Sequence, residues 1–342
     1  MASKVVVLSG DGIGPEIMGP TLELLDAVTN ELEFEKYLFG GALIDSYNTA
    51  LTDETLAACK QAGAVLLGAV GGPKWDAFGD TTKPRPEQGL LRLRSELGVF
   101  ANIRPARARE SLEDVSPLRP ERLAGTNLTI VRELTGGIYF GEHSREADQA
   151  TDVCTYSRDE VERIAHVAFQ TARRKVTSVD KANVLETSRL WREVVTEVGE
   201  AYDVPLEHKL VDDMAMQLVS RPSDFDVILT ENMFGDFLSD EAAAIIGSIG
   251  LLPSASLAQD GPGIFEPAHG SAPDIAGTLK ANPLAMFLSG ALMLRHGFKM
   301  EEEAVAIEKA VDQALANGLR TRDLGGNAYT GEVRNAVLAC IE

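Results

Sequence analysis

Near its N-terminus the chain reads Val5-Val6-Val7-Leu8-Ser9-Gly10-Asp11-Gly12-Ile13-Gly14-Pro15-Glu16. A short apolar run leads into a glycine-rich turn, and a helix-like segment follows. A Rossmann phosphate loop needs the spacing G-x-G-x-x-G, but Pro15 stands where the third glycine should be. The stretch therefore predicts a tight strand-to-helix turn that borders a functional site, with Pro15 near the first helical position.

The alternation of strand and helix continues along the chain. Further buried strands are predicted at residues 64–67, 128–131, 181–185 and 226–229, and helices at residues 16–30, 53–62, 189–202, 236–246 and 301–315. This order is typical of an α/β fold whose core sheet is largely parallel.

The composition excludes several classes of protein. The chain has 342 residues, of which 44% are hydrophobic, and a net charge of −20. That length predicts two domains or one large α/β unit, and the charge argues against nucleic acid and anionic membranes as partners. Cys59, Cys154 and Cys340 lack the spacing of a disulfide framework or a ligand set, and no targeting or membrane-spanning segment is evident. We therefore expect a cytoplasmic protein.

Two carboxylates lie one helical turn apart in the run from Asn232 to Glu241. Asp236 and Asp240 would project from the same helix face and repel each other. A divalent cation would remove that repulsion, and oxygen ligands suit Mg²⁺ or Mn²⁺. The alternative is an ordinary acidic face on an acidic protein.

Basic residues gather between positions 83 and 109, where seven Lys or Arg side chains face only Glu87 and Glu96. Such a cluster in an acidic protein indicates an anion site, and arginine suits carboxylates. The neighbouring Leu90 and Leu91 would then be placed to bind a branched alkyl group. A solvated basic face and an ordinary helix core are the alternatives.

Two further side chains are candidates for proton transfer. Lys181 stands beside an apolar strand, where it either reaches the surface or acts as a base. Tyr139, in the glycine-flanked run from Gly136 to Gly141, is a possible proton donor. A buried structural tyrosine is the alternative.

The segment from His269 to Gly277, followed by Asn282 and Pro283, predicts a loop that wraps an adenine nucleotide. Asp274 would accept hydrogen bonds from the ribose hydroxyls and repel a 2′-phosphate, which favours NAD over NADP. An irregular capped loop without a ligand is the alternative.

These motifs together resemble the isocitrate/isopropylmalate family of β-decarboxylating dehydrogenases, nearly end to end. The resemblance is carried by residues 10–16, 71–76, 102–105, 131–134, 139–141, 180–184, 236–240 and 269–277. It implies a two-domain, non-Rossmann α/β fold whose first domain is discontinuous. Residues 1–100 and 249–342 would form the NAD-binding domain, and residues 101–248 the domain with metal and substrate residues and the dimer interface.

The resemblance also implies roles for particular residues. Lys181 is similar to the family's general base and Tyr139 to its general acid. Asp236 and Asp240 would bind Mg²⁺ or Mn²⁺ together with Asp212 of the other subunit. The substrate site would comprise Glu87, Leu90, Leu91, Arg94, Arg104, Arg132, Val184 and Asp212, with Lys181, Val184 and Asp212 coming from the partner in a homodimer. The NAD site would comprise Gly72, Glu87, His269, Gly270, Ser271, Ala272, Pro273, Asp274, Ile275 and Asn282.

The implied activity is NAD-dependent oxidation and decarboxylation of 3-isopropylmalate, because Glu87, Leu90 and Leu91 resemble the pocket for an isopropyl group. The alternatives are a related enzyme acting on D-malate, tartrate or homoisocitrate, and an inert regulatory subunit that binds nucleotide. Two departures from the family pattern stand out: a longer segment between Trp75 and Glu87, and Asp213 directly after Asp212.

Overall fold

The computed structural model of the chain describes residues 2–76 and 83–341. The chain divides into two compact units: unit 1 comprises Met1–Gly98 and Ser248–Glu342, and unit 2 comprises Val99–Gly247. Most of the lengthened segment at residues 76–86 lies outside the described residues. The assignment of NAD binding to one domain and of the dimer interface to the other stays a prediction.

In chain order the strands are β1 (Ser3–Gly10), β2 (Leu32–Tyr37), β3 (Ala64–Ala69), β4 (Ala101–Arg107), β5 (Asn127–Glu133), β6 (His143–Arg145), β7 (Ala150–Asp152), β8 (Val176–Asp180), β9 (Leu206–Leu210), β10 (Val227–Thr230), β11 (Pro253–Leu257) and β12 (Gly263–Pro267). The α-helices are α1 (Gly14–Val28), α2 (Gly41–Tyr47), α3 (Asp53–Gln61), α4 (Pro86–Leu97), α5 (Pro120–Leu123), α6 (Arg158–Thr171), α7 (Glu186–Gly199), α8 (Val211–Ser220), α9 (Asn232–Ile245), α10 (Leu284–Leu292), α11 (Glu301–Ala316) and α12 (Thr330–Leu338). No helix within the described residues has the length and apolar character needed to cross a membrane.

Unit 1 is built on strands in the order β2-β1-β3-β12-β11. The pairs β1–β2, β1–β3 and β3–β12 are parallel, and β11 runs antiparallel to β12. Helix α10 is buried along its whole length, which its uniformly apolar sequence explains, and it packs on α1 and α11. The core of unit 1 around this helix is therefore mainly apolar.

Unit 2 is built on strands in the order β4-β5-β10-β8-β9. The pairs β5–β10, β10–β8 and β8–β9 are parallel, and β4 runs antiparallel to β5. Helix α9 packs against β4 and β5, and α8 packs against α9. The predicted α/β class with a largely parallel sheet is thus what each unit shows.

The glycine-rich turn after β1 is held by its own aspartate. The buried carboxylate of Asp11 accepts hydrogen bonds of 2.9 Å from the backbone N–H groups of Gly41, Ala42 and Gly71. A Cβ atom at Gly12 would lie 2.0 Å from the backbone oxygen of Ser271, and the same oxygen accepts a 2.9 Å bond from Ile13. The turn therefore lies directly against the loop that the sequence predicts to bind nucleotide.

The predicted strand at residues 181–185 is wrong. Strand β8 ends at Asp180, and Lys181 opens a turn in which its carbonyl oxygen accepts bonds from the N–H groups of Val184 and Leu185. The Asp180 carboxylate accepts a 2.8 Å bond from the N–H of Ala182, so a local side-chain contact satisfies the backbone in place of a strand partner. Lys181 consequently stands at the carboxyl end of a parallel strand.

Candidate active site

Helix α9 starts four residues earlier than predicted because Glu231 caps it, accepting a 2.6 Å bond from the N–H of Phe234. Asp236 therefore lies on the second turn. Its Oδ1 accepts a 2.6 Å bond from Arg132, a buried residue near the end of β5. This is a charge-assisted contact that holds both side chains in one orientation.

Arg104 reaches the same aspartate from strand β4. Its Nη1 lies 3.4 Å from Asp236 Oδ1 and 2.7 Å from the hydroxyl of Ser239, and its Nε donates a 2.7 Å bond to Asn102. Because β4 and β5 are neighbouring antiparallel strands, the two arginines emerge side by side. The structure thus brings Arg104, a member of the basic cluster, together with Arg132 and Asp236, which the resemblance assigns to the substrate and metal sites.

Tyr139 joins this cluster from the short 3₁₀ helix Gly137–Tyr139. Its hydroxyl lies 3.2 Å from Asp236 Oδ2, and the guanidinium carbon of Arg132 lies 5.8 Å from the centre of its ring. Burial, and secondly the charge of Asp236, raise the pKa of Tyr139. The phenol therefore holds its proton at neutral pH, as a proton donor must.

Asp240 lies one turn beyond Asp236 on α9. Desolvation, followed by the nearby charge of Asp236, raises the pKa of Asp240 above its usual range. The second of these causes is the repulsion that the spacing predicts, and a divalent cation bound by both carboxylates would relieve it. Within residues 2–76 and 83–341 of a single chain, no three His, Cys, Asp or Glu side chains form a metal-binding group.

Lys181 and Asp212 form a second, separate pair in unit 2. The Lys181 ammonium, at the end of β8, contacts the Asp212 carboxylate, in the first turn of α8. The hydrogen bond from Lys181 lowers the pKa of Asp212, whose side chain is 61% exposed. Val184, in the same turn as Lys181, is 62% exposed. These three residues, which the resemblance assigns to a partner's active site, therefore lie together at the surface of unit 2.

Helix α4 carries the predicted alkyl pocket on one stripe. Glu87, Leu90, Leu91 and Arg94 follow the spacing of a helix face beside the fully buried stripe of Pro86, Gly89, Leu93 and Leu97. Leu90 and Leu91 remain partly accessible. Arg94 is paired with Glu266 at 2.7 Å, and both side chains are largely buried.

Gly71 and Gly72 lie beside this helix. Both have positive φ values, +99° and +154°, and a Cβ atom at Gly71 would lie 2.5 Å from the carboxylate of Glu87. Bare backbone and a carboxylate therefore meet at this position, where the resemblance implies contact with the cofactor.

A cavity of about 490 Å³ lies in unit 1 beside the glycine-rich turn. Of the predicted cofactor residues, His269, Gly270, Ala272, Ile275 and Asn282 line it, whereas Ser271 contacts the turn and Asp274 is exposed beside Pro273. Desolvation lowers the pKa of His269, so its imidazole is neutral at neutral pH. The cavity has the size and largely apolar walls that suit a planar heterocycle.

The sequence analysis did not identify the residues that hydrogen-bond to the predicted site residues and orient them. Asn232 bonds to Arg132, Asn102 to Arg104, and Asp323 to Asn282. Asn102 could have been found from its i, i+2 spacing with Arg104 on one strand face, and Asn232 from its i, i+4 spacing with Asp236. Asp323 comes from the distant end of the chain and gives no local signal.

Comparison with known proteins agrees with this arrangement. The family model for isocitrate/isopropylmalate dehydrogenase matches residues 4–337. The 3-isopropylmalate dehydrogenase of Anaeromyxobacter dehalogenans is 54% identical, with 99% of each chain covered, and that of Bacillus subtilis is 52% identical, covering 99% of this chain and 98% of the relative.

Solved structures give the same result. Isocitrate dehydrogenase from Methylococcus capsulatus superposes with a TM-score of 0.89 at 33% identity, covering 100% of this chain and 99% of the other. A β-decarboxylating dehydrogenase from Thermococcus kodakarensis gives a TM-score of 0.83 at 36% identity, covering 100% and 96%.

The chain is thus an enzyme of the decarboxylating dehydrogenase class, an oxidoreductase. More narrowly, it belongs to the isocitrate/isopropylmalate dehydrogenase family. The predicted family and its two-domain, non-Rossmann fold class are confirmed.

Proposed function

We propose that the chain oxidises and decarboxylates (2R,3S)-3-isopropylmalate to 4-methyl-2-oxopentanoate and CO₂ with NAD, in leucine biosynthesis. The observation that carries the proposal is the cluster of two arginines, Arg104 and Arg132, with Tyr139 around Asp236. It combines carboxylate recognition, a protonated phenol and a metal-binding carboxylate in one unit. Relatives named 3-isopropylmalate dehydrogenase support the choice of substrate over D-malate, tartrate or homoisocitrate.

The residues of this chain would divide the work as follows. Arg104 and Arg132 bind the substrate carboxylates, and Arg94 remains the third predicted member of that clamp. Lys181, in its neutral amine form, would take the proton of the C2 hydroxyl, directly or through water, and Tyr139 would return a proton to the carbon that has lost CO₂. The cavity of unit 1 fits the adenine end of NAD, whose nicotinamide would accept the hydride.

A divalent metal ion fits Asp236 and Asp240, because the two carboxylates lie one turn apart on α9 and the charge of Asp236, after desolvation, helps to raise the pKa of Asp240. Mg²⁺ or Mn²⁺ bound there would stabilise negative charge on the substrate as a Lewis acid. Asp212 of the partner subunit is the proposed third ligand, as the resemblance implies.

A homodimer is proposed because unit 2 exposes apolar side chains near its predicted partner-facing residues. Met216 on α8 is 64% exposed and Phe237 on α9 is 62% exposed, and these two helices pack together. Exposed apolar groups on adjacent helices are typical of a surface that a second copy covers. The cytoplasmic location stays a prediction from the pattern of the three cysteines.

The test is NADH formation from a panel of 2-hydroxy acids with a 3-carboxylate: 3-isopropylmalate, D-malate, tartrate and homoisocitrate, each with Mg²⁺, with Mn²⁺ and with chelator. We expect turnover of 3-isopropylmalate with either metal and none with chelator. Absence of turnover under every condition would support the inert regulatory subunit. Better use of another substrate would reject the proposed one.

A further inference from the structure

Asn232 opens helix α9 and connects two of the elements that the proposed function uses. Its side chain is fully buried, at 0% exposure. The amide oxygen accepts bonds of 3.0 and 2.6 Å from Nε and Nη2 of Arg132. The amide nitrogen donates bonds of 3.1 and 3.0 Å to the backbone oxygens of Leu134 and Gly136.

These four contacts use the full hydrogen-bonding capacity of the amide and fix its orientation. A flipped amide would set its oxygen against two carbonyl oxygens and its NH₂ group against a guanidinium. Both mismatches would leave buried polar groups unsatisfied, which is costly. Asn232 therefore fixes two neighbouring groups. The amide nitrogen, its donor side, holds the turn, and the amide oxygen, its acceptor side, holds the arginine.

The donor side holds the turn that leads to the proposed acid. Residues 134–136 directly precede the 3₁₀ helix Gly137–Tyr139. On its other side the turn is held by Glu133, whose carboxylate accepts a 2.7 Å bond from the N–H of Gly136. A Cβ atom at Gly136 would lie 2.7 Å from the ring of Tyr156, so the turn is tightly packed there. Asn232 is what ties this turn to α9.

The acceptor side holds Arg132 by two nitrogens and leaves Nη1 to meet Asp236 at 2.6 Å. Asn232 and Asp236 are four residues apart on one helix face. A single rigid element thus carries the carboxylate, orients the guanidinium and fixes the turn of Tyr139.

We propose that Asn232 is a positioning residue that sets the separation of Tyr139 from Asp236 and the orientation of Arg132. The proposal rests on the proposed function, in which Tyr139 is the acid and Arg132 binds substrate. The amide acts through those residues and does not touch the substrate.

Two variants separate the two sides of the amide. Asn232→Asp keeps an oxygen for Arg132 but opposes a carboxylate to the carbonyls of Leu134 and Gly136, so the turn should shift. Since a displacement of about 1 Å can cost on the order of 10²-fold, we expect kcat to fall by about that factor. Asn232→Ala removes both sides, so it should also raise KM for 3-isopropylmalate. KM for NAD⁺ should be unchanged in both variants.

The decisive measurement is a double-mutant cycle with Tyr139→Phe. If Asn232 acts through Tyr139, Asn232→Asp should lower kcat by less than about threefold once the hydroxyl is gone, because the two effects are then not additive. Additive losses, or equal rises in KM for both substrates, would overturn the proposal. If Tyr139→Phe alone keeps full activity, the role of Tyr139 in the proposed function fails instead, and the positioning role fails with it.

The matched control is Ser116→Ala. Ser116 donates a 2.6 Å bond to the backbone oxygen of Ile245 at the other end of α9. Loss of this bond should lower the thermal midpoint of unfolding without a selective change in kcat or in KM. Its effect on kcat should be additive with that of Tyr139→Phe. If Asn232→Asp does not fold, Asn232→Ser, which keeps a hydroxyl but loses the NH₂ donors, carries the same cycle with the same criteria.

Discussion

The two units of the chain meet two different chemical demands. In unit 2, charged groups are buried with partners: Arg132 is almost inaccessible, yet it bonds to both Asn232 and Asp236. In unit 1, apolar groups such as Ile13 and Ile275 give the cavity a mainly apolar surface, although three charged side chains also line it. One region pairs buried charges with each other, and the other offers a mainly apolar surface to a flat group.

The difference teaches how an acidic protein can bind an acidic substrate. A net charge of −20 repels dicarboxylates at long range, so recognition needs positive groups that are fixed before the substrate arrives. In the proposed function, Asp236 would be the counter-ion of Arg104 and Arg132 until a substrate binds the arginines and a metal ion binds the carboxylate. The adenine end of a cofactor needs no such arrangement, because apolar burial suffices there.

The largest effect should be the loss of activity when either of two residues of unit 2 is removed, because the proposal assigns the two residues of one active site to different subunits. Lys181→Ala removes the proposed base and Asp236→Ala a proposed metal ligand, so each should lose about 10²–10⁴-fold in kcat. In a mixed dimer with shared sites, one site carries both lesions and the other carries neither. After subunit exchange with random assortment, activity should recover to about a quarter of wild type.

The matched control mixes Lys181→Ala with Asp212→Ala. Both residues lie in the same surface pair, so every site of a mixed dimer would carry one lesion and no activity should return. Recovery in this control, or none in the first mixture despite demonstrated exchange, would show that the site is not shared as proposed.

The alkyl stripe of helix α4 should govern substrate choice. We expect kcat/KM for 3-isopropylmalate to exceed that for malate by on the order of 10²-fold, since each buried methyl-sized group contributes about 1 kcal/mol. Leu90→Ala together with Leu91→Ala should remove most of that ratio by lowering the larger value. Lys60→Ala, an exposed change on the neighbouring helix α3, should leave the ratio unaltered. Equal use of both substrates by the wild type would reject the pocket.

The fold was predictable where the local pattern is strong. The alternation that begins with the β-branched run at residues 5–8 predicts an α/β fold, and the failed glycine fingerprint rejects a Rossmann phosphate loop; the non-Rossmann fold itself was implied by the resemblance. Residues 181–185 misled because an apolar sequence with Val184 and Leu185 has strand character, while the Asp180 side chain closes a turn there. Local side-chain hydrogen bonds of this kind override propensity.

The candidate site was predictable in its charged members and not in their supports. The helical spacing indicates Asp236 and Asp240, and the basic cluster in an acidic chain indicates Arg104, whereas Arg132 was implied only by the resemblance. That Arg104 and Arg132 converge depends on the pairing of β4 with β5, a tertiary fact. Asn232 was visible in the quoted run, but its role depends on a turn nearly a hundred residues away in sequence.

A smaller effect should come from the cofactor loop of unit 1. Asp274 is exposed and would repel a 2′-phosphate, so the wild type should prefer NAD⁺ over NADP⁺. Replacing Asp274 with Lys and Ile275 with Tyr should reduce the preference by on the order of tenfold, about the effect of exchanging one favourable charge contact. The measurement is kcat/KM for each cofactor at fixed ionic strength. A wild type that prefers NADP⁺ would refute the ribose assignment.

The smallest predicted effect concerns stability in acid. Unit 1 should lose stability when a buried group without an ion-pair partner becomes charged. His296 lies in the π-helical turn Met293–Gly297 after α10, where burial lowers its pKa to about 4 from an unfolded value of 6.5, with Arg295 and Lys299 adding to the shift. Because its folded pKa is depressed, the unfolded chain binds a proton between these values that the folded chain does not, so stability falls as pH drops below 6.5.

His296→Gln removes that proton linkage. Between about pH 7 and pH 5 its thermal midpoint should fall by a few degrees less than that of the wild type, as expected for a single titrating group. Gln313→Ala, a change at an exposed side chain of α11 in unit 1 that carries no titratable group, should follow the wild type across the same range. Identical pH profiles of the thermal midpoint for wild type and His296→Gln would mean that this part of unit 1 accommodates the imidazolium. The contrast between the two units would then not hold at His296.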